Sequence, residues 1–178
     1  MAGNSTLSTS ASFQQHVSVR LTVNGETVHR DVEARRHLVD FLRLDLGLTG
    51  SHAGCEQGVC GACTLRVNGD IVRGCLMLVA QLDGAEIWTV EGLSETGEIR
   101  DLQDEFIRRN ALQCGFCTPG MLLTAAELLA RPEELGREEI REHLSGNYCR
   151  CTGYEAIVDA VASTMAARRE AAEPEAAR

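Results

Sequence analysis

Apolar and polar residues alternate near the start of the chain, with the two-residue period of a strand buried on one face. The apolar positions of this alternation are Val17, Val19, Leu21 and Val23. Asn24-Gly25 follows, a pair typical of a two-residue hairpin turn. We therefore predict a hairpin whose return strand contains Val28 and Val32.

The pattern stays strand-like up to about residue 92. A second hairpin is predicted over Thr64–Arg73, with its turn at Asn68-Gly69. A last short strand is predicted over Ala85–Val90. Between the two hairpins, the apolar residues of His37–Leu44 lie on one side and predict a short helix.

From about residue 93 the apolar positions recur with the period of helices. Leu102, Phe106 and Ile107 are predicted to share one buried face. Thr118-Pro119 is typical of an N-cap and the first residue of a helix, which we expect to end at Arg131-Pro132. The apolar stripe of this helix is Met121, Leu122, Ala125, Leu128 and Leu129.

Two more helices are predicted towards the C-terminus. Ile140 and Leu144 indicate a short helix that closes at Gly146. Thr152, with Glu155 three residues later, fits a capping box and predicts that the last helix begins at Thr152. Its predicted buried face is Tyr154, Ile157, Val158, Val161 and Met165.

These patterns divide the chain into four parts. Residues 1–14 are rich in Ser, Thr and Ala and are predicted to be a flexible tail. Residues 15–92 form a strand-rich domain and residues 93–168 a helical domain, and residues 169–178 form a C-terminal tail. The fold class is therefore α+β.

The charge of the chain narrows the possible partners. Its 17 basic and 26 acidic residues give a formal net charge of −9, which disfavours nucleic acid and anionic membranes. The sequence has no run of 18 or more apolar residues, which is about the length needed to span a membrane, and it shows no signal-peptide pattern. We therefore expect a cytoplasmic protein, in which eight cysteines indicate metal or redox chemistry rather than disulfides.

Four of the cysteines follow the spacing of a plant-type [2Fe–2S] ferredoxin: Cys55, Cys60, Cys63 and Cys75. The spacing is C-x4-C-x2-C with a fourth cysteine after eleven residues, and the second hairpin would return that fourth ligand. Gly54, Gly58 and Gly61 are interleaved with the ligands, Gly54 directly before Cys55, and glycine permits positive φ angles and close backbone approach. Structural zinc more often takes two short Cys pairs, so this set favours a cluster.

The other four cysteines form two short pairs: Cys114, Cys117, Cys149 and Cys151. The spacing is C-x2-C, 31 residues and C-x-C, and each pair directly precedes a predicted helix. Helix N-termini favour negative charge and therefore suit a thiolate-ligated cluster. Spacing alone leaves zinc open for this set.

The two sets together resemble the small iron–sulfur subunit of the molybdenum hydroxylases, the family of xanthine dehydrogenase, aldehyde oxidoreductases and aerobic carbon monoxide dehydrogenase. The matching stretches are Gly54–Cys63, Gln113–Gly120 and Gly146–Tyr154, within a likeness over about residues 15–165. The resemblance implies an N-terminal ferredoxin-like β-grasp domain followed by a C-terminal four-helix bundle. It also implies that both sets hold [2Fe–2S] clusters.

The resemblance further implies an electron path and a set of partners. A large subunit would bind molybdopterin as a dinucleotide and hydroxylate the substrate, and a medium subunit would bind FAD. Electrons would pass from molybdopterin through the helical-domain cluster, then the ferredoxin-like cluster, to FAD. The assembly would be a dimer of such heterotrimers. By motif position, Gln113 and Cys151 would contact the pterin, although Gln113 alone would otherwise be interpreted as a surface amide.

Two other functions remain open at this point. One is a free ferredoxin that serves diffusible partners, and the other is a zinc-stabilised interaction module. His52 lies near Cys55, but four cysteines already complete that set, so His52 is not predicted to be a ligand. No catalytic Ser/His/Asp or Cys/His group is evident outside the two cysteine sets.

Overall fold

The computed structural model describes residues 15–133 and 135–176. The tail predicted at 1–14 lies outside these ranges. Within them, no helix combines the length and the apolar composition that crossing a lipid bilayer requires.

The first two strands form the predicted hairpin. Strand β1 spans His16–Val23 and strand β2 spans Glu26–Glu33, paired antiparallel. Asn24 and Gly25 have φ angles of 51° and 84°. Positive φ at both central residues is what a type I′ hairpin turn requires, so the Asn-Gly pair sets the register of the hairpin.

Three further strands complete a mixed sheet of five, in the order β2-β1-β5-β3-β4. The second predicted hairpin is confirmed, with β3 over Thr64–Val67 and β4 over Asp70–Arg73. Strand β5, Glu86–Trp88, pairs parallel with β1 and antiparallel with β3. Helix α1, Leu38–Asp40, continues as a π-helical segment over Phe41–Asp45.

Five helices follow the sheet in the described residues. They are α2 (Val90–Glu95), α3 (Arg100–Arg108), α4 (Thr118–Leu129), α5 (Arg137–Leu144) and α6 (Glu155–Ala176). The boundary predicted at residue 168 does not coincide with the end of α6. Helix α2 occupies the stretch that the sequence pattern presented only as a domain boundary.

Three details of the predicted helices were wrong. Ile107 is 69% exposed, because α3 buries only Leu102 and Phe106. The N-cap of α4 is Cys117, so Thr118 is already helical. Helix α6 begins at Glu155 rather than at Thr152.

The molecule has two main hydrophobic cores. The first lies between the sheet and α1, and the second lies among the helices. Helix α4 contacts β3 and β4 as well as the other helices, and Ile71 and Trp88 of the sheet pack against the helical core. The two halves are therefore held directly against each other.

Candidate metal centres

The first cysteine set gathers around the loop that leads into β3. Cys55 and Cys60 are half-buried in this loop, whereas Cys63 and Cys75 are buried together with Val39. The β3–β4 hairpin returns Cys75 to Cys63, as the sequence predicted, because Cys63 directly precedes β3 and Cys75 lies two residues after β4.

Backbone N–H groups point at the sulfur of Cys55. The N–H groups of Cys60 and Gln57 each donate to Sγ of Cys55 at 3.4 Å. These donors, that of Cys60 first, lower the pKa of the Cys55 thiol to about 6. Burial raises the pKa of Cys63 to about 11. The loop thus stabilises a thiolate at its open side and encloses the inner sulfurs.

Two glycines of this loop are required by close packing. A Cβ on Gly61 would lie 2.6 Å from the backbone oxygen of Gly146, and its φ is +74°. A Cβ on Gly54 would lie 3.1 Å from Sγ of Cys60 and 3.3 Å from the ring of Phe116. Both glycines therefore let residues of the helical half approach the first set.

The second cysteine set joins two loops of the helical half. Cys114 and Cys117 lie between α3 and α4, and Cys149 and Cys151 lie between α5 and α6. Sγ of Cys151 and Sγ of Cys114 are 3.5 Å apart, and the neighbouring Cys149 thiol contributes to raising the pKa of Cys117. The structure thus brings together all four cysteines, with Cys114 and Cys151 exposed.

Donors also surround the sulfurs of the second set. The Phe116 N–H, followed by the Cys151 thiol, lowers the pKa of Cys114. Burial acts to raise the pKa of Cys149, but hydrogen bonds led by that of the Thr152 hydroxyl, 3.1 Å from its Sγ, lower it overall. Burial raises the pKa of Cys117 to about 12. The hydrogen bond with Cys114 raises the pKa of Cys151.

The hydroxyl group of Tyr154 fixes the loop that carries Cys149. The backbone N–H of Cys149 donates to the Tyr154 hydroxyl at 2.8 Å. Tyr154 has a φ of 70° and its own N–H donates to Oγ1 of Thr152 at 3.1 Å. Thr152 therefore orders the turn before α6 and does not cap the helix itself.

Direct hydrogen bonds connect the two sets. The N–H of Tyr148 donates to the carbonyl oxygen of Cys60 at 2.8 Å. Tyr148 directly precedes Cys149, so this hydrogen bond joins the second cysteine set to the first. The buried side chain of Asn147 donates to the oxygen of Gly61 at 3.0 Å and to Oγ1 of Thr64 at 3.1 Å. The two cysteine loops therefore share one interface.

The remaining predicted site residue is Gln113. It is exposed and directly precedes Cys114. Sequence reasoning missed Asn147 as a connecting residue. It also missed the pairing of His52 with Phe116, whose only signal in the sequence was that each lies close to a cysteine.

Each set offers four thiols with hydrogen-bond donors at some of their sulfurs, the chemistry that a thiolate-ligated iron–sulfur cluster requires. No group of three or more His, Cys, Asp or Glu side chains in the described part of the chain is arranged to hold a single metal ion. The donor set itself, thiolates with aimed N–H groups, fits a [2Fe–2S] cluster at both places.

Two families of iron–sulfur domains match the chain. Residues 48–106 match the family described as "2Fe-2S iron-sulfur cluster binding domain", and residues 89–162 match the "[2Fe-2S] binding domain". Together these matches include all eight cysteines.

Full-length relatives match most of the chain. It is 49% identical over 154 residues to caffeine dehydrogenase subunit gamma of Pseudomonas sp. strain CBB1, covering 85% of this chain and 92% of that one. It is 52% identical over 153 residues to the nicotine 6-hydroxylase small subunit of Paenarthrobacter nicotinovorans, covering 86% and 92%.

A solved structure shows the same fold. In the crystal structure of quinoline 2-oxidoreductase from Pseudomonas putida 86, one chain is 52% identical and superposes with a TM-score of 0.80, covering 87% of this chain and 98% of that chain. With the domain matches and the two relatives, this shows that the chain belongs to the small iron–sulfur subunits of the molybdenum hydroxylases and is the electron-transfer subunit of such an oxidoreductase.

Proposed function

We propose that this chain holds two [2Fe–2S] clusters and conducts electrons between two partner subunits. The first cluster would be held by Cys55, Cys60, Cys63 and Cys75, and the second by Cys114, Cys117, Cys149 and Cys151. Electrons would enter from molybdopterin on a large subunit and leave to FAD on a medium subunit. A [2Fe–2S] cluster, when bound, exchanges one electron at a time, which suits a molybdenum centre that releases two and a flavin that accepts them singly.

The observation that carries the proposal is the contact between the two sets. A single hydrogen bond, from the N–H of Tyr148 to the oxygen of Cys60, links the backbone next to Cys149 directly to the backbone of Cys60. A protein that used its second cysteine set only for structural zinc would have no need to place it against the first. This contact supports two redox centres in series.

We also propose a division of the chain to match these roles. Residues 15–92 would be a ferredoxin-like β-grasp domain around the first cluster, and residues 93–168 a four-helix bundle of α3 to α6 around the second. The two separate hydrophobic cores support this division.

Exposed apolar side chains support the presence of protein partners. Seven large hydrophobic residues are exposed in the described part of the chain, and four of them directly adjoin a cysteine of the two sets. These four are Val59, Leu76, Phe116 and Tyr148. Apolar groups around redox centres mark surfaces that other proteins cover, which favours a heteromeric complex over a free ferredoxin.

The proposed partners follow the order of the clusters. The large molybdopterin subunit would cover the second set, with Gln113 and Cys151 in hydrogen-bond contact with the pterin dinucleotide. Both residues are exposed, as such a contact requires. The medium FAD subunit would cover the first set, and two such heterotrimers would form the complete assembly.

The names of some relatives, rather than residues of this chain, support a proposal about the substrate class. Two are named for caffeine and nicotine, and the matching crystal structure is named for quinoline; all three compounds are nitrogen heterocycles. We propose the same class for this complex. Dye reduction by the purified complex should be faster with quinoline or nicotine than with benzaldehyde, and the reverse order would contradict the assignment.

Metal analysis and one variant test the electron path. The purified complex should contain about four irons and four acid-labile sulfides for each copy of this chain. Cys151→Ser should lower both counts and slow turnover measured with a dye that takes electrons at the flavin. The exposed Ser145→Ala serves as the control and should change neither.

Two results would refute the path. Zinc in place of iron in the helical half would exclude the second cluster. Normal dye reduction by Cys151→Ser, despite loss of that cluster, would show that electrons take another route.

A further inference from the structure

The guanidinium group of Arg73 lies where the two halves of the chain meet. Arg73 is the last residue of β4 and precedes Cys75 by two positions. Its Nη2 donates to the carbonyl oxygen of Gly146 at 2.8 Å, and Oδ1 of Asn147 lies 3.5 Å from the same nitrogen. Gly146 and Asn147 belong to the loop that leads into Cys149. The side chain of Arg73 therefore extends from the first cysteine set to the second.

The other terminal nitrogen of Arg73 binds beside the first set. Nη1 donates to Oγ1 of Thr64, the residue directly after Cys63. That hydroxyl is buried and donates in turn to the carbonyl oxygen of Gly61 at 2.6 Å. Gly146 leaves room for the guanidinium group, because a Cβ there would lie 2.9 Å from Nη2. The group is thus held on both sides by neutral oxygen atoms next to the two cysteine sets.

The positive charge of Arg73 has no carboxylate partner. Arg73 is half-buried, and no Asp or Glu side chain among the described residues forms an ion pair with it. By contrast, Arg66 on the neighbouring strand β3 is paired with Glu98 at 2.6 Å. An arginine side chain carries its charge throughout the physiological pH range. A permanent and unpaired positive charge therefore lies between the two sets.

We propose that Arg73 tunes the electron path, because its charge raises the reduction potentials of both centres. The inference rests on the proposed function, since it assumes that both sets hold clusters. Each centre gains one negative charge when it is reduced, and a nearby positive charge stabilises that added charge. Since the hydrogen bonds hold the guanidinium group between the sets, its charge acts on both. Both centres therefore accept electrons more readily than they would without Arg73.

Two substitutions separate the charge from the hydrogen bonds. Arg73→Gln removes the charge and keeps an amide N–H donor, whereas Arg73→Lys keeps the charge and loses the planar two-nitrogen fork. Arg30→Gln is the matched control, because it changes the net charge by the same amount. Arg30 is exposed on β2, at the opposite edge of the sheet from β4. All three variants are purified as the complete complex, and iron is counted before any potential is measured.

The readout is the midpoint potential of each centre, followed by electron paramagnetic resonance. Arg73→Gln should lower the equilibrium constant for reduction of each centre by about tenfold, the order expected for a unit charge at a partly buried site. For a one-electron step this corresponds to about 59 mV. Arg73→Lys should keep most of the wild-type potential at both centres, and Arg30→Gln should behave as the wild type.

The outcomes distinguish this inference from the proposed function. Unchanged midpoints in a fully loaded Arg73→Gln complex, or a fall at one centre alone, overturn the inference and leave the electron path intact. A tenfold fall in Arg73→Lys also overturns it, even if Arg73→Gln loses iron, because lysine keeps the charge. An equal fall in Arg30→Gln overturns it too, since net charge would then be the cause. A wild-type complex without iron in the second set refutes the proposed function itself.

Discussion

At the scale of single residues, the side-chain amide of Asn147 joins segments that are far apart in the sequence. The residue is 1% exposed. Its Nδ2 donates to the oxygen of Gly61 and to Oγ1 of Thr64, and its Oδ1 accepts from Oγ1 of Thr124 at 2.9 Å. The amide thus connects the first cysteine loop, β3 and α4, two residues before Cys149.

Replacing Asn147 should be costly for this reason. Asn147→Ala would leave buried groups of Gly61, Thr64 and Thr124 with fewer partners. We expect the free energy of unfolding to fall by about 3 kcal/mol, since three hydrogen bonds worth about 1 kcal/mol each are lost. Denaturant unfolding of the full chain measures it, with Ser145→Ala as the exposed control. A loss no larger than that of the control would show that the amide is dispensable.

Sequence spacing predicted the two cysteine sets but not the residues that connect them. Cysteine spacing reports a loop that wraps around one site, which is a local property. Asn147 binds Thr64 in the strand-rich half and Thr124 in the helical half. His52 of the first cysteine loop binds Phe116 of the second. No local pattern encodes which distant residues meet, so these contacts required the fold.

At the scale of elements, α4 packs against the first cysteine loop at a glycine. A Cβ on Gly120, in the first turn of α4, would lie 2.3 Å from the backbone oxygen of Gly61. Helix α4 also begins directly after Cys117. Its position therefore determines how closely the helical half approaches the first set.

Gly120→Ala should force this helix away from the loop. We expect a loss of about 1 to 3 kcal/mol in the free energy of unfolding, the usual cost of overpacking. Gly136→Ala is the control, because its Cβ would meet only the flexible Glu139 side chain, at 3.5 Å. The two variants are compared by denaturant unfolding and by iron content. Equal stability of the two would contradict the proposed packing constraint.

A second pair of elements, α3 and α6, is joined by an ion pair. Nε and Nη2 of Arg168 bind the carboxylate of Asp101 at 2.7 and 2.8 Å, and this hydrogen bonding holds the pKa of Asp101 below its ordinary value of 3.8. A carboxylate whose pKa is lowered by folding stabilises the folded protein at pH values above its ordinary pKa. This stabilisation is lost as the pH falls below the ordinary pKa and through the lowered one. The pair should therefore act fully at neutral pH.

The variant Arg168→Gln tests this contribution. At pH 7 we expect a loss of about 1 kcal/mol, the upper range for partly exposed pairs, and a smaller loss near pH 3. Urea unfolding followed by circular dichroism at both pH values measures the difference. Arg35→Gln is the control, since the Arg35 side chain is 88% exposed and its pair with Glu33 should contribute nothing measurable. A loss that stays constant with pH would rule out the Asp101 carboxylate as its source.

Local sequence signals predicted an element correctly where neighbouring residues alone determine its conformation. The two Asn-Gly turns fixed both hairpins because their positive φ angles are a property of the residues. The starts of α4 and α6 were misplaced, since cysteine loops and Tyr154 rather than standard capping residues set them. Ile107 fits the helical period but faces outward, because no element among the residues that the structure describes covers that side of α3.

At the scale of the whole molecule, exposed apolar side chains lie next to cysteines of both sets. Leu76 is 59% exposed beside Cys75, and Val59 is 50% exposed beside Cys60. Leu44 is more exposed still, at 70%, but it lies in the π-helical segment after α1. These residues allow the proposed docking surface to be compared with an equally apolar position elsewhere.

Leu76→Asp should weaken binding of the FAD subunit without loss of iron. A charge placed in a buried apolar contact costs several kcal/mol of desolvation, so we expect the medium subunit to dissociate during gel filtration of the complex. Leu44→Asp should leave the complex whole. If both variants, or neither, released the medium subunit, the surface around Cys75 would not be its docking site.

The join between the sheet and the helices has one more consequence. Only Thr89 separates the end of β5 from the start of α2; it is fully buried, and its N–H donates to Oδ1 of Asn24 at 2.9 Å. A connection so short and so firmly tied contains no hinge. Carriers whose redox modules are joined by flexible linkers can move between donor and acceptor, whereas the proposed electron path through this chain would keep a constant length throughout turnover.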